Sequence, residues 1–127
     1  MKVADRSYLV EGLLKRKELF EGDPLVALDL AIYEVADSIW KHETLLRDIK
    51  DGFEYLSILQ GLVESGTIQL LHASKEALET AYSLASKNKR SLYDTVFVAL
   101  ALELGLELDT YDKRQAEILK KMTHTKS

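Results

Sequence analysis

The sequence predicts an α/β fold in which helices cover both faces of a parallel β-sheet. Short apolar segments alternate with longer helical patterns along the 127 residues, and this alternation is typical of βαβ units. The stretch Ser91–Leu104 is apolar nearly all round, as in a helix that is buried on several sides. We expect one domain over residues 1–127, with residues 122–127 as a frayed polar tail.

Four short apolar segments are the predicted strands. After the first of them, Tyr8–Leu14 reads as a helix that Asp5 or Ser7 could cap. Gly22, Asp23 and Pro24 predict a turn before the second strand. The four segments are Met1–Ala4, Leu25–Leu28, Thr67–Leu71 and Leu106–Leu108.

Helical periodicity fills the stretches between these strands. A helix from Ala31 to His42 is predicted with an apolar face at i, i+3, i+4, i+7 and i+8. We expect Thr44–Ser65 to form two helices or a kinked pair, because Gly52 and Gly61 interrupt it. Further helices are predicted over 74–88, 91–104 with Gly105 as its stop, and 112–122. The apolar face of the second helix consists of Ile32, Val35, Ala36, Ile39 and Trp40.

Composition excludes several classes of function. The formal net charge is −4, from 17 basic and 21 acidic side chains, so any nucleic-acid binding needs a local basic patch. Cysteine is absent, which excludes disulfides and thiolate metal sites. The opening MKVADRS lacks a signal-peptide pattern, and the run Val96–Leu102 is far shorter than the ~20 residues of a membrane span. We therefore expect a soluble, cytoplasmic protein.

Four acidic residues follow the predicted strands or begin the helices beside them: Asp5, Glu34, Asp94 and Asp112. In an open parallel sheet, sites form at the carboxyl ends of the strands. Two carboxylates ~4 Å apart repel by roughly 4 kcal/mol at an effective dielectric of about 20, so such a cluster needs protons, lysines or cations. Carboxylates without cysteine or histidine suit Mg²⁺ or Mn²⁺.

Each acid also has a purely structural explanation. Asp5 could be a helix cap, and Ser91-x-x-Asp94 and Asp112-x-x-Gln115 both have the spacing of capping motifs. Glu34 lies off the apolar face of its helix, as a solvated side chain would. The residues alone leave these alternatives open.

Four segments resemble, in order, those of the PIN domain family and its VapC-type toxins. They cover about residues 1–121. MKVADRSYLVEGLL carries the first acid, Asp5, and a hydroxyl at Ser7. LDLAIYEVADSIWK carries Glu34, and SLYDTVFVALALELGLEL carries Asp94. DTYDKR resembles a T-x-D step that supplies Thr110 and Asp112.

The resemblance implies a three-layer α/β/α sandwich around a short parallel sheet of four or five strands. It implies a ribonuclease that hydrolyses RNA phosphodiester bonds with Mg²⁺ or Mn²⁺ held by the four acids, while Ser7 and Thr110 orient the carboxylates. It also implies the toxin of a toxin–antitoxin pair, a homodimer, and a small antitoxin that contacts the Thr44–Ser65 region.

Basic residues near the acids are candidates for guiding RNA, although each could equally be a solvated surface charge. Arg6 stands where the family often has a small or hydroxyl residue, so it could bind phosphate or crowd the site. Asp109 stands where an apolar strand residue is usual, and it could add a fifth carboxylate or displace Asp112 as the fourth. The basic candidates are Arg6, Lys41, Lys113 and Arg114, and Lys87, Lys89 and Arg90 precede the buried helix.

Two other functions fit the same residues. The domain could be a catalytically silent interaction module that retains the fold to bind a partner. It could also be a nuclease with a housekeeping role in RNA processing.

Overall fold

A computed structural model describes residues 1–125 and contains one parallel sheet. Val3 in the first strand lies opposite Val26 on one side and Leu108 on the other. The order across the sheet is β3-β2-β1-β4, and the described residues form no fifth strand. The strands are β1 (Lys2–Ala4), β2 (Leu25–Leu28), β3 (Ile68–Leu71) and β4 (Leu108–Asp109).

Six α-helices formed by residues 1–125 cover the sheet. The first three pack against one another and form one layer, and the fourth and the sixth both pack against the fifth in the opposite layer. The predicted three-layer α/β/α sandwich with a parallel sheet is therefore confirmed. The helices are α1 (Arg6–Leu14), α2 (Leu30–Lys41), α3 (Gly52–Glu64), α4 (Lys75–Asn88), α5 (Leu92–Leu104) and α6 (Lys113–Thr125).

Helix α5 is the most deeply buried helix of the described chain, as its sequence predicts. Every residue from Thr95 to Ala101 is buried. The one polar side chain of this run, Thr95, donates its hydroxyl proton to the Ala81 carbonyl oxygen over 2.7 Å, so its burial leaves no polar group unmet. Because α5 packs on both α4 and β1, its amino end has a fixed position relative to the sheet.

Helix α2 and the segment after it differ from the prediction. The buried side of α2 contains Ala31, Val35 and Ile39, and Trp40 lies beyond this narrower stripe with 49% of its surface exposed. A π-helical turn over His42–Leu46 follows α2 and ends at Arg47, which has a left-handed backbone.

Of the two glycines expected to interrupt the helical stretch Thr44–Ser65, only Gly52 lies at a helix boundary in the described structure. Gly52 begins α3, where a Cβ would lie 2.5 Å from the Glu43 Oε1 atom. Gly61 lies inside α3 and does not break it.

The fourth strand and the last helix also differ from their predicted bounds. The Leu106 N–H donates to the Ala101 carbonyl oxygen over 3.0 Å, so Leu106 still closes the end of α5 and the strand begins only at Leu108. Helix α6 extends to Thr125, past the predicted end at Met122. Of the tail predicted to fray, residues 126 and 127 lie outside the described part of the chain.

The strand order places a functional site at one edge of the sheet. Strands β2 and β3 lie on one side of β1, and β4 lies on the other, so the chain reverses its direction of winding between β1 and β4. Ligands bind outside the carboxyl ends of strands at such a switch point. Within residues 1–125, no helix has both the length and the apolar character needed to cross a membrane.

Two glycine substitutions test this fold with opposite expected signs. Gly105 ends α5 with a φ of +65°, so Gly105→Ala should lower the free energy of unfolding by about 1 kcal/mol. Gly61→Ala should raise it by roughly 0.5–1 kcal/mol, since its Cβ would meet nothing within 4 Å. Urea denaturation measures both; equal losses in the two variants would contradict these assignments.

Candidate active site

The four predicted acids line one small cavity at the switch point. Its volume is about 20 Å³, and a polar cavity needs roughly 10–15 Å³ to hold one water molecule. The space therefore accommodates one water molecule or one cation. Its lining residues are Asp5, Arg6, Ser7, Glu34, Tyr93, Asp94, Phe97, Asp112 and Gln115.

Asp5 is the most buried of these acids, with 2% of its surface exposed. It follows β1 and caps α1, because its Oδ1 atom accepts a hydrogen bond from the Tyr8 N–H over 3.1 Å. The Ser7 hydroxyl donates to the same oxygen over 2.7 Å. The Thr110 hydroxyl donates to Oδ2. Three donors thus hold the Asp5 carboxylate in a fixed orientation.

The two hydroxyls also fasten the segment after β4 to the segment after β1. Ser7 Oγ accepts from the Tyr111 N–H over 2.8 Å, and Thr110 Oγ1 accepts from the Asp112 N–H over 2.9 Å. Each hydroxyl therefore donates to Asp5 and accepts from the chain that leads into α6. The position of Asp112 therefore depends on both hydroxyls, because they accept from the N–H groups of Tyr111 and Asp112.

Glu34 reaches the cavity from the second turn of α2. Burial raises the pKa of the Glu34 carboxyl above its ordinary value. The Arg6 charge lowers this pKa, while the Asp5 and Asp94 charges raise it further. The Oε1 atom is buried and accepts no hydrogen bond from the described residues. This oxygen lacks the donor or cation that a buried acceptor requires.

Arg90 lies between the other two acids. Its Nη2 atom is 3.1 Å from Asp94 Oδ2 and 3.4 Å from Asp112 Oδ2. Asp112 also caps α6, because its Oδ1 atom accepts from the Arg114 N–H over 2.9 Å. At α5 the capping side chain is that of Ser91, whose hydroxyl oxygen accepts from the Asp94 backbone N–H over 3.3 Å. Capping and membership of the acidic group are therefore compatible for Asp112, while the Asp94 carboxylate contacts Arg90.

The chemistry of the cavity fits a divalent cation held by oxygen ligands. Four carboxyl groups line it, and among the described residues two guanidinium groups, those of Arg6 and Arg90, lie beside them. Two buried acceptors, Glu34 Oε1 and Gln115 Oε1, have no donor in the described structure. However, no three acidic or histidine side chains within residues 1–125 are already close enough together to bind a metal. The carboxylates would have to close in on the ion.

Of the four basic residues predicted to guide RNA, one lines the cavity and three lie outside it. Arg6 lines the cavity. Lys41 forms an ion pair with Asp37 over 3.5 Å in the last turn of α2, and it does not line the cavity. Lys113 and Arg114 are exposed in the first turn of α6, beside Asp112 but outside the cavity.

Asp109 lies in a different cavity from the four acids. That cavity is also lined by Lys2 and Tyr8, and Lys2 Nζ is 3.8 Å from Asp109 Oδ1. Burial raises the pKa of the Asp109 carboxyl, and the charges of Glu107 and Asp5 raise it as well, against the opposing effect of Lys2. In this arrangement Asp112, rather than Asp109, accompanies the other three acids.

Sequence reasoning missed three residues of the site. Arg90 was only one of several basic residues before α5, although its i,i+4 spacing to Asp94 was a signal for pairing. Gln115 is buried with 6% exposure, and it had been read only as part of a capping motif. Tyr93 lines the cavity and is 60% exposed, and no sequence pattern distinguishes it.

Comparison with known proteins identifies relatives of nearly the whole chain. The PIN domain family matches residues 3–121. Ribonuclease VapC3 of Pyrobaculum aerophilum is 38% identical over 97 residues, which are 76% of this chain and 72% of that protein.

Solved structures share the fold. Mycobacterium tuberculosis VapC20 superposes with a TM-score of 0.70 at 12% identity, over 92% of this chain and 94% of that one. A toxin–antitoxin complex from Klebsiella pneumoniae gives a TM-score of 0.67 at 17% identity, over 91% of this chain and 89% of that one.

The double role of Thr110 predicts a loss of stability when its hydroxyl is removed. Thr110→Val should lower the free energy of unfolding by about 1–3 kcal/mol, because it leaves a buried carboxylate with one donor fewer. Thr110→Ser keeps the hydroxyl and should lose less. Urea denaturation at neutral pH measures both variants, and a Thr110→Val protein as stable as Thr110→Ser would contradict the role given to this hydroxyl.

The raised pKa of Asp109 predicts a pH-dependent effect of Asp109→Asn. A carboxyl whose pKa is raised by folding favours the folded state most below its unfolded pKa of about 3.9, and this contribution is lost as pH rises through the folded pKa. Asp109→Asn should therefore gain stability over the parent between pH 4 and pH 7. Asp23→Asn, with a side chain 87% exposed, is the control in urea denaturation. A constant difference across this range would contradict the prediction.

Proposed function

The chain belongs to the PIN domain family, and on that premise we propose that it is an endoribonuclease that depends on Mg²⁺ or Mn²⁺. The convergence of Asp5, Glu34, Asp94 and Asp112 on one cavity carries this proposal. No other described cavity gathers four carboxyl groups. The name of the relative VapC3 describes it as a ribonuclease, which supports RNA as the substrate.

Charge balance supports a divalent ion at this site. With Arg6 and Arg90 beside four carboxylates, the group lacks two positive charges when all four are ionised. One Mg²⁺ or Mn²⁺ would supply them, and both ions prefer carboxylate oxygens. The four acids would hold the ion, and Ser7 and Thr110 would keep Asp5 oriented towards it, as their hydrogen bonds already do.

Hydrolysis adds water across a phosphorus–oxygen bond of the RNA backbone. A bound divalent cation would lower the pKa of that water and offset the negative charge that develops on the phosphate. The water oxygen bonds to phosphorus, a carboxylate of the site accepts the water's proton, and the leaving oxygen departs and is protonated.

RNA must approach a cavity with an excess of acids, so nearby groups need to attract it. The Arg6 guanidinium at the cavity offers a positive charge to a phosphate. The exposed ring of Tyr93 lies at the same mouth and offers a surface on which an unpaired base can stack. Lys113 and Arg114 would extend the positive surface along α6.

A role as the toxin of a toxin–antitoxin pair is the biological setting that we propose. The similar structure from Klebsiella pneumoniae is a toxin–antitoxin complex, and the similar VapC20 is described as a toxin that cleaves the sarcin–ricin loop. In this chain Leu45, Leu46 and Phe53 are 62%, 63% and 79% exposed. These apolar side chains would be covered by a small antitoxin, and we propose a cytoplasmic homodimer as the active form.

The deciding experiment compares RNA cleavage by the parent protein and Asp94→Asn in the presence of Mn²⁺. Loss of one carboxylate ligand should lower the cleavage rate by about a hundredfold or more, because the ion is held less tightly and its charge is less well placed. Asp37→Asn removes an exposed carboxylate from α2 and should cleave at the parent's rate.

Two results would count against the proposal in different ways. Equal cleavage by the parent and Asp94→Asn would remove the acidic group from the mechanism. A parent protein that neither cleaves RNA nor binds Mn²⁺ at millimolar concentration would favour the silent interaction module, which the bridging of Asp94 and Asp112 by Arg90 also suits.

A further inference from the structure

Arg90 is placed in the acidic group by the connection between α4 and α5. Helix α4 ends at Asn88, and Lys89 after it has a left-handed backbone with a φ of 52°. The Arg90 N–H then donates to the Ala85 carbonyl oxygen over 3.1 Å. Ser91 follows at once as the cap of α5. The link is too short and too well bonded to let the Arg90 backbone move far from the site.

The contacts of Arg90 with the two acids come from a single nitrogen atom. Nη2 lies 3.1 Å from Asp94 Oδ2 and 3.4 Å from Asp112 Oδ2. The side chain is only 17% exposed, and its Nε atom is buried without an acceptor among the described residues. A guanidinium group binds a carboxylate most strongly with two parallel hydrogen bonds, and neither acid receives that arrangement here. The guanidinium group is therefore held, but not in its strongest geometry.

We propose that Arg90 is a built-in competitor of the divalent cation. In the cation-free protein it holds Asp94 and Asp112 together and offsets one of their two negative charges, and it must withdraw from their oxygens when the cation binds. This inference rests on the proposed function, because it concerns the same four acids. Arg90 is on this view a positioning residue that sets how much free cation is needed to load the site.

The charges around the cavity favour competition between Arg90 and the cation over a purely structural role for Arg90. Asp94 and Asp112 each have a nitrogen of Arg90 as their close cationic partner, and these two carboxylates are the ones that the cation would need besides Asp5 and Glu34. A guanidinium group and a divalent cation that share the same oxygens repel each other. Removal of the guanidinium charge should therefore tighten cation binding, whereas a purely structural residue would weaken it when removed.

The experiment measures Mn²⁺ binding to the cation-free protein by titration calorimetry, without RNA. Arg90→Gln should bind Mn²⁺ about tenfold more tightly than the parent or better, although its cation-free form should unfold at a lower temperature. Mn²⁺ should then raise the unfolding temperature of Arg90→Gln by more than it raises that of the parent. Arg16→Gln removes the same charge from a side chain that is 56% exposed and lies outside the cavity, and it should bind Mn²⁺ as the parent does.

Arg90→Lys is the second variant, and it keeps the charge if Arg90→Gln does not fold. A lysine ammonium is compact, strongly hydrated and flexible, so it should give up the two carboxylates more readily and show a smaller gain in Mn²⁺ affinity. Mn²⁺ affinity that is unchanged or weaker in both Arg90 variants would overturn the inference and leave the proposed function standing. Absence of Mn²⁺ binding in the parent and in every variant would overturn both.

Discussion

Four carboxyl groups around a cavity of about 20 Å³ repel one another, and much of the local structure serves to hold them there. Three donors orient the Asp5 carboxylate. The guanidinium group of Arg90 bridges Asp94 and Asp112. The charge of Arg6 acts on Glu34, whose pKa is nevertheless raised by burial. Two buried oxygens, on Glu34 and Gln115, still lack a donor within the described part of the chain, so those residues alone do not satisfy the group. A bound cation would supply the partner that these oxygens lack, and this links the fold to the proposed chemistry.

The scaffold makes such crowding possible because three of the acids lie at the starts of helices and Glu34 lies in the second turn of α2. Asp5 leaves the central strand β1 and caps α1, and Asp94 lies in the first turn of α5, the helix buried from Thr95 to Ala101. Burial of that helix against α4 and β1 holds the Asp94 backbone in place against repulsion from its neighbours. Ser7 and Thr110 hold the start of α6 in place in the same way, since each hydroxyl links the Asp5 carboxylate to the backbone that leads into α6.

Much of this arrangement could be predicted from the sequence, because it follows from the order of elements. Apolar segments followed by acids predict a parallel sheet with carboxylates at one edge, and the structure places Asp5, Glu34, Asp94 and Asp112 around one cavity. Side-chain details could not be predicted. Whether Arg90 pairs with solvent or bridges two acids depends on the left-handed Lys89 before it. Likewise, the position of Asp109 beside Lys2 and Tyr8 depends on where β4 begins. The exposure of Trp40 depends on the width of the α2 contact, which periodicity overestimates.

We propose that these four carboxyl groups form one site for a divalent cation. Anomalous scattering from a crystal soaked in Mn²⁺ tests it most directly, because it locates the ion without reference to activity. We expect one peak in the cavity, contacted by oxygens of at least three of Asp5, Glu34, Asp94 and Asp112, with the Arg90 guanidinium group withdrawn from Asp94 and Asp112. No peak in the cavity, with Arg90 still bridging these two acids at millimolar Mn²⁺, would contradict it.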